Sequence, residues 1–112
     1  MKINVSTQGQ YTIVALSGEV DLQYSPQART QILRQLNAGH HVLADLSAVE
    51  YIDSSGIASL VEGFQLARDK GLEFGLVGVS ERAMQVLELA RLDKVFEIHA
   101  SAAERIKQRA SV

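Results

Sequence analysis

The run YIDSSGI, Tyr51 to Ile57, places one carboxylate, two hydroxyls and a glycine directly before an apolar-periodic segment. Such residues at such a position serve two kinds of chemistry. A side-chain oxygen of Asp53 or Ser54 can accept hydrogen bonds from the first free N–H groups of a helix, a cap worth about 1 kcal/mol. A serine there is also a place where phosphate is locally tolerated, because a helix N-terminus offers free donors and partial positive charge. That phosphate would add about two negative charges beside Glu50 and Asp53, enough to repel an acidic or apolar partner surface. The side chain that Gly56 lacks would let a partner approach closely. Two hydroxyls and a glycine exceed what a cap requires, so the pattern points to switched binding. Helix physics alone does not choose between Ser54 and Ser55.

Other chemistry is thinly supported. The chain contains no G-x-x-x-x-G-K-[ST] phosphate loop, no G-x-G-x-x-G fingerprint and no G-x-S-x-G nucleophile elbow. His40 and His41 are adjacent, so a strand would turn them to opposite faces, and His99 is remote. They read as exposed or rim residues, and no metal is expected. Asp21, Asp45 and Asp53 could in principle do acid–base work. Asp45 and Asp53 both fall near the C-terminal end of an expected inner strand, where α/β sheets place their sites. No base–nucleophile pair accompanies them, and solvated or capping carboxylates are the simpler reading. No catalytic residue and no cofactor is expected.

The elements that must position YIDSSGI come from a chain of 112 residues, enough for a single domain with one core. With 46% hydrophobic and 21% charged residues the composition is globular. A net charge of -2 with no basic run argues against a nucleic-acid surface. The absence of cysteine excludes disulfides and thiolate metal sites. MKINVSTQGQ lacks the apolar stretch of a secretion signal, and no run approaches the ~20 residues that cross a bilayer. A soluble, cytoplasmic domain is expected, without direct membrane insertion.

Ile3 and Val5, a turn around Gly9, and the alternation from Tyr11 to Leu16 predict a hairpin whose second strand is buried on both faces and ends at Gly18. Ser25 followed by Pro26 predicts an N-cap, then a helix with Ala28, Ile32, Leu33 and Leu36 inward and Gly39 as its stop. Val42 to Leu46 reads as a central strand. Ile57, Leu60, Val61, Phe64 and Ala67 predict a helix closed by Gly71. Leu72 to Val79 is the next inner strand. Ser80 caps a helix with Ala83, Leu87 and Ala90 on one face, and a short strand follows near Phe96. The spacing of Ser101 and Glu104 predicts a capping box, with the tail from Lys107 to Val112 frayed. Two strand–helix–strand crossovers imply parallel pairs, and the hairpin makes the sheet mixed. The expected architecture is α/β, a single domain with four to five strands and about four helices.

Three segments resemble the STAS domain, in particular the SpoIIAA-like anti-sigma factor antagonists: GEVD (Gly18 to Asp21), DLSAVEYIDSSGI (Asp45 to Ile57) and LARLDKVFEI (Leu89 to Ile98). The resemblance spans residues 3 to 108 and implies a binding module rather than an enzyme. Proteins of this kind bind, when unphosphorylated, an anti-sigma factor that is also a serine kinase, which frees the sigma factor. The kinase uses ATP to phosphorylate the serine after the motif aspartate, and a PPM-type phosphatase reverses the reaction. Carried onto this chain, the phosphoacceptor is Ser54. Asp53, Ser55, Gly56, the loop from Glu19 to Tyr24 with Asp21, the strand end before Asp53, and the exposed helix residues Ser59 and Glu62 would form the partner surface. Asp21 serves equally well as a turn-stabilising residue. An MlaB-like subunit of an ABC lipid transporter shares most of the pattern, although Ser54-Ser55 favours the phosphoswitch branch.

Overall fold

In a computed structural model, which describes residues 1–110, five strands and four helices build one mixed sheet with helices on both faces. The hairpin β1 (Lys2–Gln8) and β2 (Tyr11–Val20) turns at Gly9 and Gln10, and Gly9 takes a positive φ of 57°. Then come α1 (Ser25–Asn37), β3 (His41–Ile52), α2 (Ser54–Lys70), β4 (Phe74–Val77), α3 (Glu81–Leu89), β5 (Glu97–His99) and α4 (Ala102–Ala110). The sheet order is β1-β2-β3-β4-β5, antiparallel at β1/β2 and parallel at every later pairing. This is the expected mixed α/β architecture.

Strand alternation divides the apolar residues between two layers. Val14 and Leu16 of β2, Val42, Ala44 and Leu46 of β3, and Phe74 and Leu76 of β4 face the main core with Ile32, Leu36, Leu60 and Leu87. Tyr11, Ile13, Leu43 and Val77 face the other way, where Ala102 and Ile106 of α4 cover them. α1 and α2 pack closely because Gly63 has no side chain. A Cβ there would come within 2.7 Å of Ile32 and 3.1 Å of Phe74.

Several boundaries differ from the pattern-based expectation. β2 does not stop at Gly18. That glycine, with φ of 79°, sits between two register shifts against β3, and the strand resumes to Val20. A glycine in the left-handed region lets a strand bulge and continue. β3 is likewise longer than Val42 to Leu46, because its second half pairs with the resumed end of β2. Ser25 is not the cap of α1. It is the first helical residue and is buried, while Tyr24 holds the cap position without a side-chain bond. Pro26 keeps its place in the first turn. β4 is shorter than Leu72 to Val79, and Ala90 is an exposed C-cap rather than a core residue.

The caps at Ser80 and Gly71 stand as read, and at Ser101 one half of the expected capping box is present among the described bonds. Ser80 Oγ accepts the Ala83 N–H, Ser101 Oγ accepts the Glu104 N–H, and Gly71 closes α2 at φ 70°. α4 stays helical to Ala110, so the expected fraying does not hold for residues 107–110. Residues 111 and 112 lie outside the described residues.

Candidate functional site

β2 and β3 are parallel neighbours, and their C-terminal residues Val20 and Ile52 are register partners. The two loops that follow, 21–24 and residue 53, therefore emerge side by side, the usual position for a site in an α/β sheet. Asp21 organises the first loop. Its Oδ1 accepts the N–H groups of Gln23 and Tyr24, at 3.0 and 3.1 Å, and its carbonyl accepts those of Tyr24 and Ser25. The first free N–H groups of α1, from Gln27 and Ala28, go to the Tyr24 carbonyl instead of a Ser25 side chain.

Asp53 organises the second loop and joins it to the first. It is the N-cap of α2, extended at φ -110°, and its Oδ1 accepts the N–H groups of Ser55 and Gly56 at 2.9 and 3.2 Å. The Ser55 hydroxyl donates to the same oxygen, and Oδ2 accepts the Leu22 N–H at 3.2 Å. These bonds hold the Asp53 carboxyl below the usual Asp range. The Ser55 hydroxyl contributes most, burial opposes it, and the backbone donors of Gly56, Ser55 and Leu22 add to it.

The two hydroxyls are thus unequal. Ser55 is half-buried and turned back onto Asp53. Ser54 is exposed, and among the described residues its hydroxyl makes no hydrogen bond. A group arriving on Ser54 Oγ breaks nothing inside the chain. Among the described residues, no base is bonded to that hydroxyl.

The remaining expected partner residues fall into distinct environments. Glu19 is exposed at the end of β2 opposite Tyr51, and Tyr24 is half-buried at the start of α1. Glu62 is half-buried and its carboxylate is paired with Arg29 of α1. Ser59, expected on the exposed helix face, is instead 4% exposed, and its hydroxyl donates to the carbonyls of Ser25 and Ser55. It bonds α2 to the start of α1. Gly56 is also buried, and a Cβ there would meet the Val20 carbonyl oxygen at 2.5 Å and Ile52 at 2.6 Å. Its missing side chain therefore makes room for this chain's own β2 and β3 rather than for a partner. Asp45 and Asp53 are not brought together. Asp45 lies mid-strand in β3, bonded to the Ser47 N–H, about 25 Å from Asp53 at strand rise.

Leu22 lies in the loop from Glu19 to Tyr24 and Tyr51 at the strand end before Asp53, both in the expected partner surface, but neither was named there as an apolar contact. Leu22, whose N–H bonds Asp53, is 76% exposed, and Tyr51, two residues before Asp53 in β3, is 51% exposed. The available clue was an apolar residue in a loop held between two turn-forming residues, Asp21 and Ser25.

The opposite end of the sheet holds a second polar cluster. Glu73 takes two bonds from Arg105, at 2.6 and 2.8 Å, one from Tyr11 and one from Arg109. Its backbone N–H donates to His41 Nδ1. Burial raises the Glu73 pKa, but Arg105, Tyr11 and Arg109 outweigh it and hold the carboxyl below its usual range. Glu73, Glu97 and His99 offer ligand atoms within 4.8 Å of one another. Two guanidinium groups already neutralise Glu73, so the cluster works as an ion-pair tether for α4. His41 and His99 are part-buried rather than rim residues, whereas His40 is exposed.

Fold and site together define a small mixed-sheet α/β module that displays one free serine hydroxyl at a helix start beside exposed apolar residues. The chain belongs to the STAS domain family, whose model matches residues 2–105. It is 28% identical over 104 residues to the anti-sigma-B factor antagonist of Bacillus subtilis, covering 91% of this chain and 95% of that one. Its identity to the Listeria monocytogenes anti-sigma-B factor antagonist is 29% over 86 residues, 76% of this chain and 75% of the relative. Among solved structures, the anti-sigma factor antagonist SpoIIAA in its unphosphorylated form superposes with a TM-score of 0.83 at 17% identity, over 99% of this chain and 98% of that one.

Proposed function

We propose that this chain is an anti-sigma factor antagonist. Its unphosphorylated form docks on an anti-sigma factor that is also an ATP-dependent serine kinase, and phosphate on Ser54 ends that docking. The role is regulatory protein binding in the cytoplasm, not turnover of a substrate. A PPM-type phosphatase restores the binding form. The relatives named above support the antagonist reading, and the observation that carries the site is the contrast between the two hydroxyls. Ser54 is free and exposed, while Ser55 is bonded to the cap aspartate. Phosphate on Ser54 would put about two negative charges beside exposed Leu22 and Tyr51, the apolar surface that a partner would have to desolvate. Among the described residues, no helix is long and apolar enough to cross a membrane.

Affinity capture with wild type, Ser54→Ala and Ser54→Asp tests the reading, with mass spectrometry of the partners and of peptide 51–57. Wild type and Ser54→Ala should retain the kinase, and Ser54→Asp should lose it by at least tenfold. Incubation with that kinase and ATP should place phosphate on Ser54 and nowhere else in the peptide. An identical partner set for all three forms, with an ATPase and a permease among them, would instead identify a transporter subunit.

A further inference from the structure

β1 is the outer strand of the sheet, and it lacks the devices that usually block an edge from pairing. It has seven residues, no proline, one charge at its very end, and an unbroken register with β2 from Lys2↔Ser17 to Gln8↔Tyr11. The opposite edge, β5, has only three residues and leads directly into α4.

The turn determines which backbone groups of β1 are free. A two-residue hairpin loop with glycine first is closed by a narrow, doubly hydrogen-bonded pair, here Gln8 and Tyr11. Narrow pairs recur at every second position, so Gln8, Ser6, Asn4 and Lys2 direct their N–H and C=O groups towards β2. The Lys2 carbonyl agrees, lying 3.5 Å from the Ser17 hydroxyl. Ile3, Val5 and Thr7 therefore direct theirs outward, away from the sheet.

We infer that two copies of the chain pair antiparallel through β1, about a two-fold axis at Val5, joining two five-stranded sheets into one. In that register Val5 meets its own copy, Ile3 meets Thr7, Asn4 meets Ser6, and Lys2 meets Gln8. Each outward residue is then in a narrow pair, giving about six new backbone hydrogen bonds. No like charges face each other. Val5 is 39% exposed on the main-core side of the sheet, and the new pairing covers it. The groove beside β1 on that side is lined by Ile3, Pro26, Gln27, Thr30 and Gln31, none of them charged. The strand matches itself along its full length, which makes a second copy the occupant. A contact about 23 Å long falls short of a standard interface of ~800 Å² per partner, so the dimer is concentration-dependent. β2 and β3 separate this edge from Ser54, and the dimer leaves that serine accessible.

The absence of cysteine allows a direct test. In a narrow pair the two Cα atoms are about 5.5 Å apart, within disulfide range, whereas a diagonal neighbour is at ~7–8 Å. Under mild oxidation Val5→Cys should give a covalent dimer at least tenfold faster than Asn4→Cys, which faces Ser6 of the second copy. In sedimentation the wild-type mass should rise from one chain towards two as concentration goes from micromolar to millimolar. Val5→Lys, which sets two charges against each other on the axis, should stay at one chain with an unchanged circular dichroism spectrum. A wild type that stays monomeric overturns the proposal, as does equal cross-linking of the two cysteine variants. A Val5→Lys dimer of wild-type strength does so as well. Should Val5→Lys fail to fold, the cysteine pair and the wild-type sedimentation still decide.

Discussion

Asp53 serves two loops with one carboxylate, receiving the N–H groups of Ser55, Gly56 and Leu22 and the Ser55 hydroxyl. Replacing it with alanine removes the cap of α2 and frees the Leu22 loop together. Asp53→Ala should therefore cost about 1–2 kcal/mol in urea unfolding, the upper part of the range for a lost cap. Ser54→Ala, which removes no internal bond, should stay within about 0.5 kcal/mol of wild type. If the two costs came in the reverse order, the assignment of cap and free hydroxyl would be wrong. Sequence made the Asp53 cap legible because capping is local chemistry, decided within three residues, whereas the choice of Ser54 over Ser55 rested on the family resemblance. Ser59 was misread because its burial depends on the start of α1, 34 residues away. Gly56 was read as clearance for a partner, whereas the backbone that approaches it is Val20 of the same chain, a contact sequence could not show.

At the scale of elements, α4 depends on contacts remote in sequence. None of its residues is fully buried, Ala102 and Ile106 supply its apolar contact, and Arg105 and Arg109 tie it to Glu73 and Tyr11. Neutralising the carboxylate should release the helix without disturbing the main core. Glu73→Gln is expected to cost about 1–3 kcal/mol, because two guanidinium groups lose their charged acceptor. It should also raise amide exchange several-fold across residues 102–110 while leaving α2 protected. Uniform exchange across both helices would show that α4 does not open separately. This tether also explains the expected fraying that the structure does not show. The start of α4 was readable from Ser101 and Glu104, but its end depends on Arg109 reaching a tyrosine 98 positions earlier. The strands follow the same rule. Alternation revealed their cores at Tyr11 to Leu16 and Val42 to Leu46. The continuation past Gly18 rests on a bulge that only β2–β3 pairing makes visible.

For the whole molecule, the sheet sets two polar clusters at opposite ends. β2 runs from Tyr11, in the Glu73 cluster, to Val20, against the Asp53 loop, about 30 Å at strand rise in a chain whose long axis is 36 Å. That separation is several times the ~8 Å over which charge acts at physiological ionic strength. A negative charge on Ser54 should therefore not be felt by Arg105 or Arg109, and no chain of charged side chains links the two ends among the described bonds. A phosphate there changes the surface a partner meets, leaving the fold as it is. Urea unfolding of Ser54→Asp, Glu73→Gln and the double variant measures this directly. The two costs should add to within about 0.5 kcal/mol, as they do for distant sites without shared partners. A coupling above about 1 kcal/mol would mean that the serine end and the α4 end communicate through the sheet. The switch would then act by reshaping the domain, and masking of the Leu22 and Tyr51 surface would no longer suffice to explain it.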